Sequence, residues 1–389
     1  MRRPYPALIS IGIAALGALL ISIGYMARSV EEIPWGLLVP GYVYFALMAT
    51  GSSIVNSIYT VFGYKGPDNE LERIIKLGIW FSLITIVPAW IMILLDLRNP
   101  LSALNIFIHY NNGGITLFFQ YKSGITWMAT LYMLFALTLM IELIYFIRSG
   151  VSEKLRRMKA LEFGIALAVL IVTVVLHSNL GQVFGNVVAI PGWYGPHMAL
   201  YFIASAIAIG ASGQALFIGY YAGGLGIREF VARYYARILM ITIPVLAFIK
   251  GWMIINAWYN PASWQAYRLI INSPDFYIFE LALLLIAPFI LATMAYYKKD
   301  LKLTLSAALL VAVAGFVDKY DLIIKPQEAP LALSLGAWAQ LGSIHYIPSI
   351  SQIEIAAGSV LLYLALLILG TLILPLKPGE KPKALYIFK

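Results

Sequence analysis

Residues 77–96 read LGIWFSLITIVPAWIMILLD: nineteen uncharged residues followed by Asp96. A helix needs about 20 predominantly apolar residues to cross the hydrocarbon core of a bilayer. This stretch supplies them with no charged face, and Pro100 follows shortly as a helix stop. Similar stretches recur on both sides of it. Spans are predicted at 6–27, 34–62, 72–95, 124–147, 158–179, 198–222, 235–257, 277–297, 301–318 and 353–376. The 389-residue chain is 61% hydrophobic and 12% charged, about half the charge of an ordinary soluble domain. The expectation is an all-α integral membrane protein, one polytopic domain over residues 1–389 with about ten transmembrane helices. The first stretch follows Met1-Arg2-Arg3, as a signal peptide would, but its end at Tyr25-Met26-Ala27-Arg28 lacks a small-x-small cleavage site. It is therefore read as a true span.

The net charge of +9 has its explanation in the short loops, where Lys and Arg mark the cytoplasmic side. With the N-terminus inside, that side receives Arg2, Arg3, Lys65, Arg73, Lys76, Arg148, Lys154, Arg156, Arg157 and Lys159. Further along it receives Arg228, Arg233, Arg237, Lys298, Lys299, Lys302, Lys377, Lys381, Lys383 and Lys389. These make up twenty of the 27 Lys and Arg residues. Arg28, Arg98, Lys122, Arg268, Lys319 and Lys325 fall outside, and Lys250 lies within a span. One missing span would invert every later loop, so the alternation supports both the count and an N-in, C-in topology. The basic balance is thus an orientation signal for a protein of the cytoplasmic membrane, and no nucleic-acid partner is expected.

The outer loops, about 96–123, 180–197, 258–276 and 319–352, are longer and rich in aromatics, amides, Gly and Pro. His109, His177, His197 and His345 all fall on or near that side. Long loops carry function more often than short ones, and these suit either a docking surface for an extracytoplasmic partner or packing over the helix ends.

Ionisable side chains inside spans are costly and are functional candidates by default. Asp96 ends the third span beside Arg98, where it can exchange a proton, bond a polar headgroup or order the helix end in an Asp–Arg pair. Glu142 lies deep in the fourth span, within Leu139-Met140-Ile141-Glu142-Leu143-Ile144. Glu280 and Lys250, in the eighth and seventh spans, are similar cases, and snorkelling is an adequate account of Lys250. A proton route through Glu142 and Glu280 would require these groups to converge. His177, in Leu176-His177-Ser178-Asn179-Leu180-Gly181, is the one histidine placed inside a span, whereas bis-histidine haem needs two at matching depth on neighbouring helices. With no cysteine and only four histidines in the chain, neither haem nor a metal is expected in it. Trp35 and Tyr42 begin the second span on the outer side, ahead of Thr50-Gly51-Ser52-Ser53. The small residues allow close helix approach. The two aromatics make either an interfacial belt or a polar-tipped slot of the kind a quinone ring occupies.

Taken in order, these pieces resemble the NrfD/PsrC-type family of polysulfide reductase membrane subunits, in its ten-span, hydrogenase-2-membrane-subunit-like branch. The resemblance runs from Gly24 and Pro34-Trp35-Gly36 through the patch ending at Gly51, then Asp96-Leu97-Arg98-Asn99-Pro100, Trp127 and His177-Ser178-Asn179-Leu180-Gly181. It continues with Trp193-Tyr194-Gly195-Pro196, Glu280, Gly315-Phe316-Val317-Asp318-Lys319-Tyr320 and Glu354. Two departures stand out: Arg98 follows Leu97 directly where the family places a Gly, and Asp318-Lys319-Tyr320 stands where an Arg is common. The resemblance implies two four-helix bundles, residues 34–179 and 198–318, flanked by an extra helix at each end (6–27 and 353–376). It implies a quinone, menaquinone or another type, bound in the first bundle near the extracytoplasmic surface. Asp96 would exchange protons there, Tyr42 would bond a carbonyl, Trp127 would shape the ring slot, and Trp35 and His177 would lie close by. It implies that this subunit, which is not the catalytic core, anchors an extracytoplasmic ferredoxin-like iron–sulfur subunit leading to a molybdopterin or nickel–iron catalytic subunit.

Two other readings remain. A secondary transporter would show broken helices near the midplane, and Pro88 and Pro244 interrupt spans in corresponding places of the two bundles. A cytochrome b subunit would require the haem that the histidines do not favour.

Overall fold

Among the described residues ten helices are long and apolar enough to cross a membrane. Within a bilayer a helix satisfies its own backbone polar groups, which makes it the favoured form for such stretches. The computed structural model describes residues 5–28, 33–63, 68–111, 114–221, 227–329 and 345–375. Its long helices are α1 (Tyr5–Met26), α2 (Leu38–Val61), α3 (Asp68–Asp96) and α4 (Gly124–Ser149). A short α5 (Glu153–Arg156) precedes α6 (Lys159–Gly185), α7 (His197–Tyr221), α8 (Arg228–Trp258) and the short α9 (Pro261–Ile271). The next span opens as a π-helical segment, Phe276–Ile286, and runs on as α10 (Ala287–Lys298). The described spans close with α11 (Leu301–Glu328) and α12 (Ile350–Ile373).

Helix contacts form two closed rings. In the first, α2 packs on α3, α3 on α4, α4 on α6 and α6 on α2; in the second, α7, α8, α10 and α11 close in the same way. The helices α1 and α12 pack on each other, and α12 leans on α3, so the extra helices from the two ends of the chain form one pair. The rings meet where α2 and α7 cross. A Cβ on Gly51 would overlap the Ala206 carbonyl oxygen, and one on Gly210 would overlap the Ser52 nitrogen. Glycine is required on both sides of this seam, which is the use expected of the small-residue patch. The helix α2 is buried along its length, because it belongs to the first ring and also faces the second.

One end of the molecule carries the longer connections. The loop after α3 contains a 3-10 turn (Pro100–Ile106) and a two-stranded antiparallel hairpin, Ile108–Asn111 paired with Gly114–Leu117, a strand element not expected from the sequence. At this end Arg28 donates to the Asp96 and Leu97 carbonyls, the latter at 2.7 Å, and so caps the C-terminus of α3. It is Arg28 that serves this helix end, while Arg98 is exposed. At the opposite, short-loop end the buried Lys76 pairs with Glu72 at 2.7 Å.

The ninth span extends to Glu328, well past its expected end at 318. The sequence reading ends the span at Asp318 and places Lys319, Asp321 and Lys325 in the following loop. All four are part of α11, and Lys319 is 0% exposed, so it does not belong to the outer loop. The charges sit among protein partners, which lets the helix continue. The predicted loop 319–352 is correspondingly shorter, and its residues 330–344 lie outside the described residues.

Candidate functional site

In the first ring the polar interior is almost uncharged. Tyr42, one turn into α2, directs its hydroxyl to the Tyr132 hydroxyl at 3.3 Å and the Met128 sulfur at 3.1 Å. Met128 and Tyr132 are four residues apart and therefore share a face of α4. The one O···O contact uses only one of the two phenol protons, and the other is left to the Met128 sulfur, a weak acceptor, or to a ligand. Gly41 lies against Met92, since a Cβ there would stand 2.5 Å from the sulfur. Asp96 is one turn beyond Met92 toward the loop-rich end, which brings the half-buried end of α3 near the level of Tyr42.

The other expected residues separate. Trp127 is turned to the perimeter, 41% exposed, with its indole N–H donated to the Tyr121 carbonyl at 2.8 Å and Phe119 edge-on. Its neighbour Met128 takes the inward position. Trp35 stacks on Trp193 at 4.7 Å with Phe184 edge-on to both, and its backbone exchanges hydrogen bonds with Gln327. It roofs the boundary between the rings. His177 is fully buried and its Nε2 lies 2.7 Å from the Thr50 hydroxyl, while Nδ1 has no partner among the described residues. Thr50 lies eight residues beyond Tyr42 on α2, about 12 Å along the axis. His177 therefore sits deeper than Tyr42, beside the Gly51 seam, and the two do not converge on one small ring. Glu142 is buried on α4 in the same ring with no ion-pair partner among the described residues.

The second ring holds the charges. Lys250 of α8 bridges Glu280 of the π-helical segment and Asp318 of α11. Lys319 pairs with Asp318 at 2.5 Å and reaches the Tyr201 hydroxyl, which also donates to Asp318. Two ammonium groups and two carboxylates thus neutralise one another in the interior, and Lys250 is held by two carboxylate partners more than by snorkelling. A π-helical stretch widens the helix and is often found at functional positions; here it presents Glu280 to the cluster. Beside it lies a small open cleft, lined on its polar side by Tyr201, Lys250, Tyr267, Glu280 and Asp318. Glu280 and Glu142 consequently lie in different rings. The convergence of Glu280 and Lys250 is observed, whereas Glu142 stands apart from it.

Sequence reasoning does not single out Tyr132, and it notes Asp318-Lys319-Tyr320 only as a departure from the family pattern, with no site role. A usable signal exists for Tyr132. Counting back from Glu142, which must face inward, by helical steps gives Leu139, Phe135, Tyr132 and Met128 as the interior face of α4.

Comparison with known proteins agrees with this architecture. The chain is 22% identical to a selenate reductase subunit of Mesobacillus selenatarsenatis, over 76% of this chain and 74% of that protein. The family model described as polysulphide reductase, NrfD, matches residues 26–330, which takes in both helix rings, the Tyr42–Tyr132 pair and the Lys250 cluster. The chain is a multi-pass membrane protein and belongs to the NrfD family.

Proposed function

We propose that this chain is the membrane-anchoring, quinone-interacting subunit of a multisubunit respiratory oxidoreductase, passing electrons between the quinone pool and an extracytoplasmic iron–sulfur subunit. Membership of the NrfD family carries the coarser part of this reading, a membrane subunit of an oxidoreductase complex. The similarity to a selenate reductase subunit points the same way. The finer part rests on the Tyr42–Tyr132 pair, where one of two phenol protons has only the weak Met128 sulfur as a protein acceptor, one to two turns inside the loop-rich end. A quinone carbonyl is an acceptor suited to it.

A bound quinone would supply two-electron, two-proton redox chemistry. The chain's own residues do the rest. Tyr42 and Tyr132 hold a carbonyl oxygen between them: one hydroxyl donates to it while the other donates across the pair. Asp96 exchanges protons between the site and the loop-rich surface. Trp127, on the perimeter, lies against the lipid side through which an isoprenoid tail would enter. Trp35 and His177 act at the wall toward the second ring and not at the ring slot itself. Glu142 and Glu280 would extend proton movement into the membrane, in separate rings.

The short-loop end, with both termini, faces the cytoplasm in this proposal, following the Lys and Arg bias. The loop-rich end then receives the iron–sulfur subunit and, through it, a molybdopterin or nickel–iron catalytic subunit. Leu101, Leu104, Ile115, Leu117 and Phe118 are exposed there outside the spans, as a docking face would have them. The transporter reading loses its main expectation, since α3 and α8 run without a break through Pro88 and Pro244.

The test is purification from native membranes in mild detergent, with identification of co-purifying chains, an absorption spectrum and extraction of bound quinone. An iron–sulfur partner, bound quinone and no reduced haem band are expected. A lone chain with neither partner nor quinone would contradict the reading, and a haem band would return it to a cytochrome b.

A further inference from the structure

Asp321 is a fifth buried ionisable group beside the Lys250 cluster, and the ion-pair network does not use it. It lies on α11 three residues after Asp318 and so on the same face, one turn nearer the loop-rich end. It is 1% exposed, and neither carboxylate oxygen has a hydrogen-bond partner among the described residues. Two of the cations nearby are committed, and the third, Lys325, is partly exposed one turn on and acts on both Asp321 and Glu328. Lys250 lies between Glu280 and Asp318, Lys319 is held by Asp318, and Lys325 is 4.0 Å from Glu328.

The groups facing Asp321 from the surrounding elements are mostly acidic or neutral. The π-helical segment and its N-terminus contribute Glu280 and Asp275, and Asp275 accepts from the Ser273 hydroxyl at 3.1 Å. The helix α11 contributes Asp318, Tyr320 and Lys325, while Lys250, Lys319, Tyr201 and Tyr267 bear on Asp318 and Glu280. With the four-membered cluster neutral, an ionised Asp321 is one buried negative charge in excess. An uncompensated buried charge is the arrangement that proteins avoid most strongly.

The cleft supplies a route to relieve it. Asp318 and Leu322, on either side of Asp321 in α11, both line that space, as does Tyr267 of α9, while Asp321 itself is next to the lining and not part of it. The Tyr267 hydroxyl is buried and has no partner among the described residues, and burial holds the phenol above its ordinary range, so that it stays a neutral donor. Lys250, Glu280 and Tyr267 together offer the several polar contacts that an ordered water needs.

We propose that Asp321 is a proton-exchange carboxyl, served by water in the cleft between α8, α9 and the π-helical segment. A hydronium entering from the loop-rich end gives its proton to the Asp321 carboxylate and leaves as water. The reverse transfer returns the proton to water in the cleft. Each transfer changes the charge beside Glu280 and Asp318 by one unit, to which the shared Lys250 ammonium responds. The site needs no quinone and lies in the ring opposite the Tyr42–Tyr132 pair.

The experiment is infrared spectroscopy of the full chain in lipid, with aspartate isotope-labelled at its side-chain carboxyl, titrated over pH in H2O and in D2O. A protonated aspartyl carboxyl band is expected that shifts in D2O, vanishes as the pH is raised, disappears in Asp321→Asn and survives in Asp96→Asn. If Asp321→Asn does not accumulate, Asp321→Glu is the second variant: the labelled band is lost and an unlabelled glutamyl band replaces it. A wild-type protein with no such band, or a band that persists in the Asp321 variants, would overturn the proposal. Because no quinone is added, a failure here is separate from a failure of the quinone reading.

Discussion

The two helix rings are built on the same plan and filled with different chemistry. In the first, apart from the Lys76–Glu72 pair at its short-loop end, the buried polar groups are hydroxyls, the Asn56 amide, an imidazole and one isolated carboxyl, among them Tyr42, Tyr132, Thr50, Ser52, Ser82, His177 and Glu142. In the second, two lysines and two carboxylates are locked together around Tyr201. A hydroxyl site can exchange one partner for another at small cost, because a neutral hydrogen bond contributes only about 0.5–1.5 kcal/mol net. A buried ion network resists removal of any member. The first ring is thus suited to binding and releasing a neutral ligand, and the second to holding and shifting charge.

The seam between the rings sets the largest expected effect. Gly51→Val would drive a side chain into the Ala206 carbonyl, and the expected outcome is loss of monodisperse protein in gel filtration. Recovery of folded protein would mean that the two rings slide apart readily. Next is Lys250→Met, which leaves Glu280 without its ion pair and Asp318 with Lys319 alone. Thermal denaturation in detergent should show a loss of about 3–5 kcal/mol, the usual cost of breaking a buried pair. The double variant Lys250→Met with Glu280→Gln should recover much of it, and a single-variant loss below about 1 kcal/mol would erase the contrast between the rings.

Tyr132→Phe should be milder for the fold, about 1 kcal/mol for one neutral hydrogen bond. Its effect should be on function, with quinone-linked turnover of the intact complex falling about tenfold as the donor is lost. Unchanged turnover would remove Tyr132 from the site. The smallest effect is expected from Trp127→Leu, within about 0.5 kcal/mol for a perimeter position, with turnover close to that of the unsubstituted protein.

Much of the fold is legible in the sequence because membrane constraints are local. Each span announces itself by apolar length, and Thr50-Gly51-Ser52-Ser53 announces a close crossing by residue size. Lys250 and Glu280 are visible singly, since charge in a span is costly wherever it occurs. Their meeting with Asp318 joins α8, the π-helical segment and α11, and no spacing within one helix encodes that. Lys319 reads as loop because a charged run resembles a solvated one until its partners are known. Trp127 and Tyr132 show the limit of motif reasoning, since a helix places residues five apart in sequence on different faces, and the tryptophan draws attention from the tyrosine that faces Tyr42.

The most direct measurement is photolabelling of the intact complex with an azido-substituted quinone, followed by mapping of the labelled peptides. The account expects label on α2 and α4 around Tyr42, Met128 and Tyr132, lost on competition with unmodified quinone. Competable label in the cleft beside Lys250 and Tyr267, with none on α2 or α4, would contradict it.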